Sequence, residues 1–337
     1  MASPQHMKPL ALTMGEPAGI GPELIARMWH AHKKLGIVPF LYVGAPEAIR
    51  TVSPDTPIEV ISSTTDIAEI FGKALPCWPV DIAAKITLGS PQQENGAAVV
   101  SSIQTAVDLA VKANVSGIVT APIHKAALYQ AGFDAPGHTE YLARLCGEVD
   151  DFSVMMLTAK NLRVVPVTIH IPLKEVPTQL TAAKIFHAGM VLSRDLRTRF
   201  GIKAPRIAVA GLNPHAGESG TMGMEEATHL MPAIWNLRDH GVDVSEPQPA
   251  DTLFHAEARA LYDAVLCMYH DQALIPVKTL DFWGGVNATL GLPIIRTSPD
   301  HGTALELAGT GKARIDSMLA AVKLAQQMVQ KSEACHE

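Results

Sequence analysis

Cysteine is scarce in this chain of 337 residues: Cys77, Cys146, Cys267 and Cys335, none near another. That spacing excludes a zinc ribbon, a redox CxxC and a disulfide-stapled scaffold. A chain of this length buries enough surface to need no disulfide, so a reducing, cytoplasmic setting is expected. Charge is scarce too. Charged residues make up 18% against 47% hydrophobic, a balance that excludes disorder and supplies a large core. No basic block is present and the net charge is −6, which excludes nucleic acid and an anionic membrane surface as main partners. No apolar run is long enough to cross a bilayer. The longest charge-poor stretch, 95–122, is broken by Asp108, Lys112 and Gly117 and reads as a helix followed by a buried strand. The first eight residues lack the apolar core of a signal peptide. Neither a Gly-x-Gly-x-x-Gly fingerprint nor a Walker A motif occurs.

What is present is alternation. The short apolar runs Leu10–Met14, Phe40–Val43, Ile118–Ala121, Val154–Leu157, Val164–Ile169, Ile207–Ala210 and Ala264–Met268 read as buried strands. Helical patterns lie between them. Val100, Ile103, Val107, Ala110 and Val111 share one face of a helix. Ile185, Met190, Leu192, Leu196 and Phe200 share a face of another, stopped by Gly201. Strand–helix alternation predicts an α/β fold with a mainly parallel sheet, and the length suggests two domains.

In such folds ligands bind beyond the carboxyl ends of strands. Three histidines stand there: His170 after Val164–Ile169, His215 after Ile207–Leu212, and His270 after Val265–Tyr269. Their separations are too long for a helix-borne metal motif and suit three strand ends converging on one cleft. Three neutral imidazoles would hold Zn²⁺, Co²⁺ or a similar ion and leave positions open for substrate. Taken singly, each histidine reads more readily as a hydrogen-bonded residue near a strand end; the three together read equally as a metal site. Asp251 and Asp271 are candidates to orient an imidazole or take a proton, and the sequence does not choose between them.

Residues 14–23, Met-Gly-Glu-Pro-Ala-Gly-Ile-Gly-Pro-Glu, read as a strand-to-helix turn, with Gly19 and Gly21 giving the tight bend and Pro22 in the first helical turn. A helix N-terminus there could also receive an anion. Thr139 is expected as a helix cap. Lys278, Asn287 and Arg296 are spaced donors suited to phosphate or carboxylate. A second glycine-rich stretch, Asp300–Ala304 with Ala308–Lys312, could offer backbone N–H groups to a pyrophosphate.

Together these segments resemble the 4-hydroxythreonine-4-phosphate dehydrogenase family of vitamin B6 biosynthesis. The resemblance runs in order through Gly15-Glu-Pro-Ala-Gly-Ile-Gly-Pro-Glu23, Thr120-Ala-Pro-Ile-His-Lys125, Gly137-His-Thr-Glu140, Thr168-Ile-His-Ile-Pro-Leu173 and Gly211-Leu-Asn-Pro-His-Ala-Gly-Glu218. It continues through Ala250-Asp-Thr-Leu-Phe254, Met268-Tyr-His-Asp-Gln272, Gly285-Val-Asn-Ala-Thr-Leu-Gly-Leu-Pro293 and Arg296-Thr-Ser-Pro-Asp-His-Gly-Thr-Ala304.

The resemblance implies two α/β domains with a central cleft, like the isocitrate and isopropylmalate dehydrogenases. The first domain would be 1–135 plus 297–337 with the cofactor loop, and the second 136–296. It implies a homodimer with the active site at the interface, and a divalent metal (Zn, Co or Mg) on His170, His215 and His270. Substrate contacts would fall on His138, Thr139, Lys278, Asn287 and Arg296. Catalytic roles would fall on Asp251, Asp271 and Lys278. NAD or NADP would meet His301, Gly302, Thr303, Ala304, Gly309 and Gly311.

The implied reaction is NAD(P)-dependent oxidation of 4-phosphohydroxy-L-threonine, a small phosphorylated hydroxy amino acid, with decarboxylation to 3-amino-2-oxopropyl phosphate. Two stretches depart from the family wording. Ala313-Arg314-Ile315 replaces the usual Ala-Asp-Pro, and Asp281-Phe-Trp-Gly284 replaces a more glycine-rich run. These keep open a paralogous dehydrogenase acting on threonate or erythronate 4-phosphate. A phosphate acyltransferase is a third reading, disfavoured because acyl transfer to phosphate needs no three-histidine metal site.

Overall fold

The computed structural model describes residues 8–130, 138–149 and 152–334, without the side chains of Gln130 and His138. Its strands are β1 (Leu10–Thr13), β2 (Phe40–Gly44), β3 (Ile58–Val60), β4 (Leu75–Pro79), β5 (Gly117–Val119), β6 (Val154–Ala159), β7 (Leu162–Thr168), β8 (Arg206–Ala210), β9 (Asp243–Gln248), β10 (Ala264–Tyr269), β11 (Val286–Leu290) and β12 (Arg296–Pro299). Every apolar run read as a strand is one, within a residue or two at its ends. The chain is α/β and divides into two compact units: Met1–Ser153 with Leu292–Gln330, and Val154–Gly291 with Lys331–Glu337.

In the first unit the strand order is β3-β4-β2-β1-β5-β12, and every pairing is parallel. The central strands β1 and β2 are buried throughout, as continuous apolar runs covered on both faces must be. Helix Gly96–Val111 packs against them. Its buried stripe is Val99, Ile103, Ala106 and Val107, so the face expected from Val100 and Val111 is rotated by about one residue. Val111 lies at the margin of the stripe and is exposed. Ser102, on the buried side, accepts from Met14 N at 3.0 Å and donates to Val43 O at 2.7 Å, tying the ends of β1 and β2.

Segment 138–149 belongs to this unit and not to the second, where the sequence placed it. Helix His138–Leu145 buries Tyr141, Leu142 and Ala143 and packs on helix Gly96–Val111. Thr139 is inside that helix and does not cap it. Arg296 also falls in the first unit, because β12 pairs with β5 in the register Arg296↔Ile118.

In the second unit the order is β11-β6-β7-β10-β8-β9. β11–β6 and β6–β7 are antiparallel, and β7–β10, β10–β8 and β8–β9 are parallel. β6 and β7 form a hairpin that turns at Lys160 with φ 53°. Helix Ala182–Thr198 starts at Thr181, whose hydroxyl accepts from Lys184 N at 3.2 Å. It buries Ile185, Leu192 and Leu196 as expected, and Gly201, with φ 67°, follows its end.

Asp195 on this helix is 1% exposed. It accepts from Gly291 N at 2.9 Å and pairs with Arg194 at 2.8 Å and Arg199 at 3.6 Å. Replacing Asp195 with Ala removes a buried anion from beside two guanidinium groups and strips the Gly291 N–H of its acceptor. A loss of about 3–5 kcal/mol is expected, read as a lower urea midpoint at unchanged slope.

Candidate functional site

The second unit sets β7, β10 and β8 side by side and parallel, so the residues that follow them leave the sheet at the same end. The register Thr168↔Tyr269 puts His170 and His270 within two residues of one rung. Their ring centroids are 5.7 Å apart, with the planes tilted by 43°. His170 reaches this place with φ 37°, a left-handed conformation unusual for a side chain of its size. His270 opens helix His270–Leu280.

His270 Nδ1 lies 2.7 Å from Asp271 Oδ1. A carboxylate only accepts, so Nδ1 carries the proton and donates, and in the neutral ring Nε2 is then the bare nitrogen. Around the pair is a cavity of about 310 Å³ that includes Thr168, Tyr269 and Asp271 in its lining. A larger cavity of about 430 Å³ shares Tyr269 and Asp271 and adds Asp251, Gln272 and Thr279. The two carboxylates singled out from sequence thus line one space.

His215 follows β8 on a run of left-handed residues, 215–220. Imidazole nitrogens suit a borderline divalent cation, and the His170–His270 pair supplies two of the expected three. Among the described residues, no three His, Cys, Asp or Glu side chains are gathered into a group that could hold an ion.

Gln272 was not singled out from sequence. It is 8% exposed, accepts from Met268 N at 2.6 Å and donates to Gly211 O at 2.7 Å. It therefore ties the carboxyl end of β10 to that of β8, the strands that carry His270 and His215. Its only sequence signal is its place in Met-Tyr-His-Asp-Gln.

Lys278 sits on the same helix as His270, its Nζ 5.2 Å from the centroid of the Phe282 ring. Phe282 and Trp283 are exposed, and Asp281 Oδ1 closes the turn by accepting from Gly284 N at 2.9 Å. Asn287 stands on β11, and its Oδ1 is buried with no hydrogen-bond partner among the described residues. A buried acceptor of this kind has room for a further donor, such as one from a water or a bound molecule.

In the first unit, Arg296 is 3% exposed, and its Nε and Nη2 donate to Thr120 Oγ1 at 3.1 and 2.7 Å. Burial pulls its pKa down to about 10, which leaves it charged at neutral pH. Thr139 is half-buried in helix His138–Leu145, and the side chain of His138 lies outside the described residues.

The glycine-rich segments of this unit serve each other. Gly15, with φ 66°, is the true turn glycine, and a Cβ there would lie 2.5 Å from Pro122 O. Gly21 is instead a close-approach position, where a Cβ would lie 2.9 Å from Met14 O. The expected anion site at the start of helix Gly21–His30 is occupied by protein. Ile20 N donates to Thr303 O at 3.1 Å, and Glu23 places a carboxylate in the first turn.

That same Glu23 accepts from Gly309 N at 2.9 Å, so this N–H is committed and does not face a pyrophosphate. Of the other residues expected at the cofactor, Ala304 (φ 41°) and Gly311 (φ 70°) are left-handed, and His301 Nδ1 lies 2.9 Å from Gly302 O. Glu16, buried beside this turn, has its pKa raised by burial, an effect opposed by the Ala18 N–H and by His124.

Residues 37–325 match the family model of the pyridoxal phosphate biosynthetic protein PdxA. The chain is 49% identical over 322 residues to a 4-hydroxythreonine-4-phosphate dehydrogenase of Caulobacter vibrioides, covering 94% of this chain and 96% of that one. Among solved structures it resembles the 4-hydroxythreonine-4-phosphate dehydrogenase of Klebsiella pneumoniae, with a TM-score of 0.86 and 39% identity over 96% of this chain and 100% of that one. The enzyme of the same name from Burkholderia phymatum gives a TM-score of 0.83 and 35% identity over 96% and 98%.

Proposed function

Because the chain belongs to the 4-hydroxythreonine-4-phosphate dehydrogenase (PdxA) family of vitamin B6 biosynthesis, we propose that this dehydrogenase oxidises 4-phosphohydroxy-L-threonine with NAD or NADP and releases CO₂ to give 3-amino-2-oxopropyl phosphate. The nicotinamide, when bound, would supply the hydride acceptor, and a protein base takes the proton of the secondary alcohol. The β-keto acid so formed loses its carboxylate as CO₂, and the carbanion equivalent takes up a proton. The observation that carries this reading is the His170–His270 pair, set at neighbouring strand ends beside a cavity that holds Asp251 and Asp271.

His170, His215 and His270 would hold a divalent cation, Zn²⁺, Co²⁺ or Mg²⁺, in a homodimer whose interface completes the site. Such a cation, when bound, supplies Lewis acidity toward an oxygen that gains negative charge. Asp271 holds the His270 ring in one tautomer. Asp251 takes the alcohol proton. Lys278, Asn287 and Arg296, with His138 and Thr139, hold phosphate and carboxylate, and the orphaned Oδ1 of Asn287 is suited to the substrate ammonium. The glycine-rich stretch 301–311 meets the cofactor through donors other than Gly309 N. The enzyme would work in the cytoplasm.

The test is turnover on a panel of phosphorylated four-carbon acids, read as NAD(P)H absorbance at 340 nm together with CO₂ release. Faster turnover of 4-phosphohydroxy-L-threonine than of threonate or erythronate 4-phosphate is expected. The reverse order would replace this reading with that of a sugar-acid dehydrogenase.

A further inference from the structure

Six successive residues after β8 have positive φ: His215 (52°), Ala216 (52°), Gly217 (81°), Glu218 (43°), Ser219 (58°) and Gly220 (93°). Four of them carry a Cβ, for which this left-handed conformation is costly, and runs of it are rare. A run of this kind persists only where its surroundings hold it, and such runs cluster at functional sites.

A cavity of about 260 Å³ lies against it, lined by Ala216, Ser219, Gly223, Glu226 and Met231 among others. At the far end of the run, Met222 N donates to Gly217 O at 3.2 Å and Thr221 N to Glu218 O at 3.3 Å, while the bonds at its start converge on one side chain. Glu226, 7% exposed, accepts from Asn213 N at 2.8 Å through Oε1 and from Asn213 Nδ2 at 2.9 Å through Oε2. Glu225 takes a further bond from Asn213 Nδ2 at 2.8 Å. Asn213 O in turn accepts from Ala216 N at 3.1 Å, inside the left-handed run.

Two further features fit this clamp. A Cβ on Gly217 would lie 2.6 Å from Glu226 Oε2, so a glycine sits where the carboxylate needs room. Glu226 also opens a π-helical turn, Glu226–Leu230, that runs into helix Met231–Asp239. A π turn is itself an irregularity found mostly at functional sites.

We infer that Glu226 is a positioning residue for His215: its buried carboxylate grips Asn213 and so holds the left-handed turn that presents the imidazole. Glu226 touches no substrate and acts only through this turn. The inference rests on the reading of His215 as a cation ligand, and the experiment separates the two.

Full-length wild type, E226A, E226Q and H215A are titrated with Co²⁺ alone, followed by its visible d–d absorption. Amide hydrogen exchange of residues 212–222 is measured in parallel. E226A is expected to bind Co²⁺ about 10–100-fold more weakly, the range found when an outer partner of a metal ligand is lost, with faster exchange across 214–222. E226Q keeps one acceptor for Asn213 N and is expected to fall between E226A and wild type, which makes it the deciding variant should E226A fail to fold. Wild-type Co²⁺ affinity in the Glu226 variants, with H215A weakened, overturns the inference. Wild-type affinity in H215A overturns the cation reading instead. Exchange then decides the clamp alone: faster exchange in the Glu226 variants upholds it, and unchanged exchange overturns it.

Discussion

Replacing His270 with Ala is expected to lower turnover by about a thousandfold, the scale set by losing a preorganised electrostatic group, and to leave the protein with less than one equivalent of divalent cation after dialysis. The geometry gives the reason. His270 has one nitrogen committed to Asp271 and the other bare, and a second imidazole lies 5.7 Å away across neighbouring strands. His255 provides an internal control. Its Nδ1 meets Glu257 Oε2 at 2.8 Å, nearly the same bond as His270 makes with Asp271, but His255 directly precedes the short helix Ala256–Arg259 and does not follow a strand. His255→Ala should therefore change neither cation content nor rate. Elemental analysis and steady-state kinetics on both variants check this, and full cation content with full turnover in His270→Ala would remove the histidines from the mechanism.

The contrast between these two pairs explains what the sequence could and could not say. With fourteen histidines in the chain, number carries little information. Position after an apolar run does, and it separated His170 and His270 from His255. The same filter worked for strands that are apolar throughout, such as β1, β2, β8 and β10. It failed for β9, an edge strand with Pro247 and a half-exposed, polar sequence. It failed too for β12, Arg-Thr-Ser-Pro, whose letters are polar although every residue is buried. There polar groups bond inside the fold: Arg296 Nη2 donates to Thr120 Oγ1 at 2.7 Å, and Thr297 Oγ1 to Ala321 O at 2.8 Å. Such internal partners leave no trace in a hydrophobicity pattern.

Glycine roles were legible only in kind. The motif at 14–23 announced a turn, but which glycine bends and which admits a neighbour depends on Pro122 and Met14 O, and only the fold brings Pro122 to the turn. The left-handed run was hidden for a related reason, since only two of the six residues in His-Ala-Gly-Glu-Ser-Gly are glycine. Nothing local explains its conformation, because the carboxylate that holds Asn213 arrives from Glu226, thirteen residues on. Gln272 was hidden in plain view beside His270, its partner Gly211 being 61 residues away. In each case the missing information is a long-range partner.

Long-range geometry also separates the two carboxylates that the sequence left equivalent. Asp271 Oδ1 is held against His270 Nδ1, and its side chain is 71% exposed. That arrangement suits fixing a tautomer and raising the basicity of the opposite nitrogen. Asp251 lies in the short helical turn Ala250–Thr252 and lines the larger cavity with Tyr269, Asp271 and Gln272. That cavity shares Tyr269 and Asp271 with the one lined by the histidine pair. Asp251→Asn is therefore expected to lower kcat by about 10²–10⁴-fold, the usual contribution of a positioned general base, with KM and cation affinity little changed. Asp271→Asn should do the opposite, weakening cation binding about 10–100-fold while largely keeping kcat at saturating cation. Steady-state kinetics at saturating cation and cation titration on both variants decide the assignment. If kcat collapses in Asp271→Asn and cation affinity falls in Asp251→Asn, the two roles are exchanged.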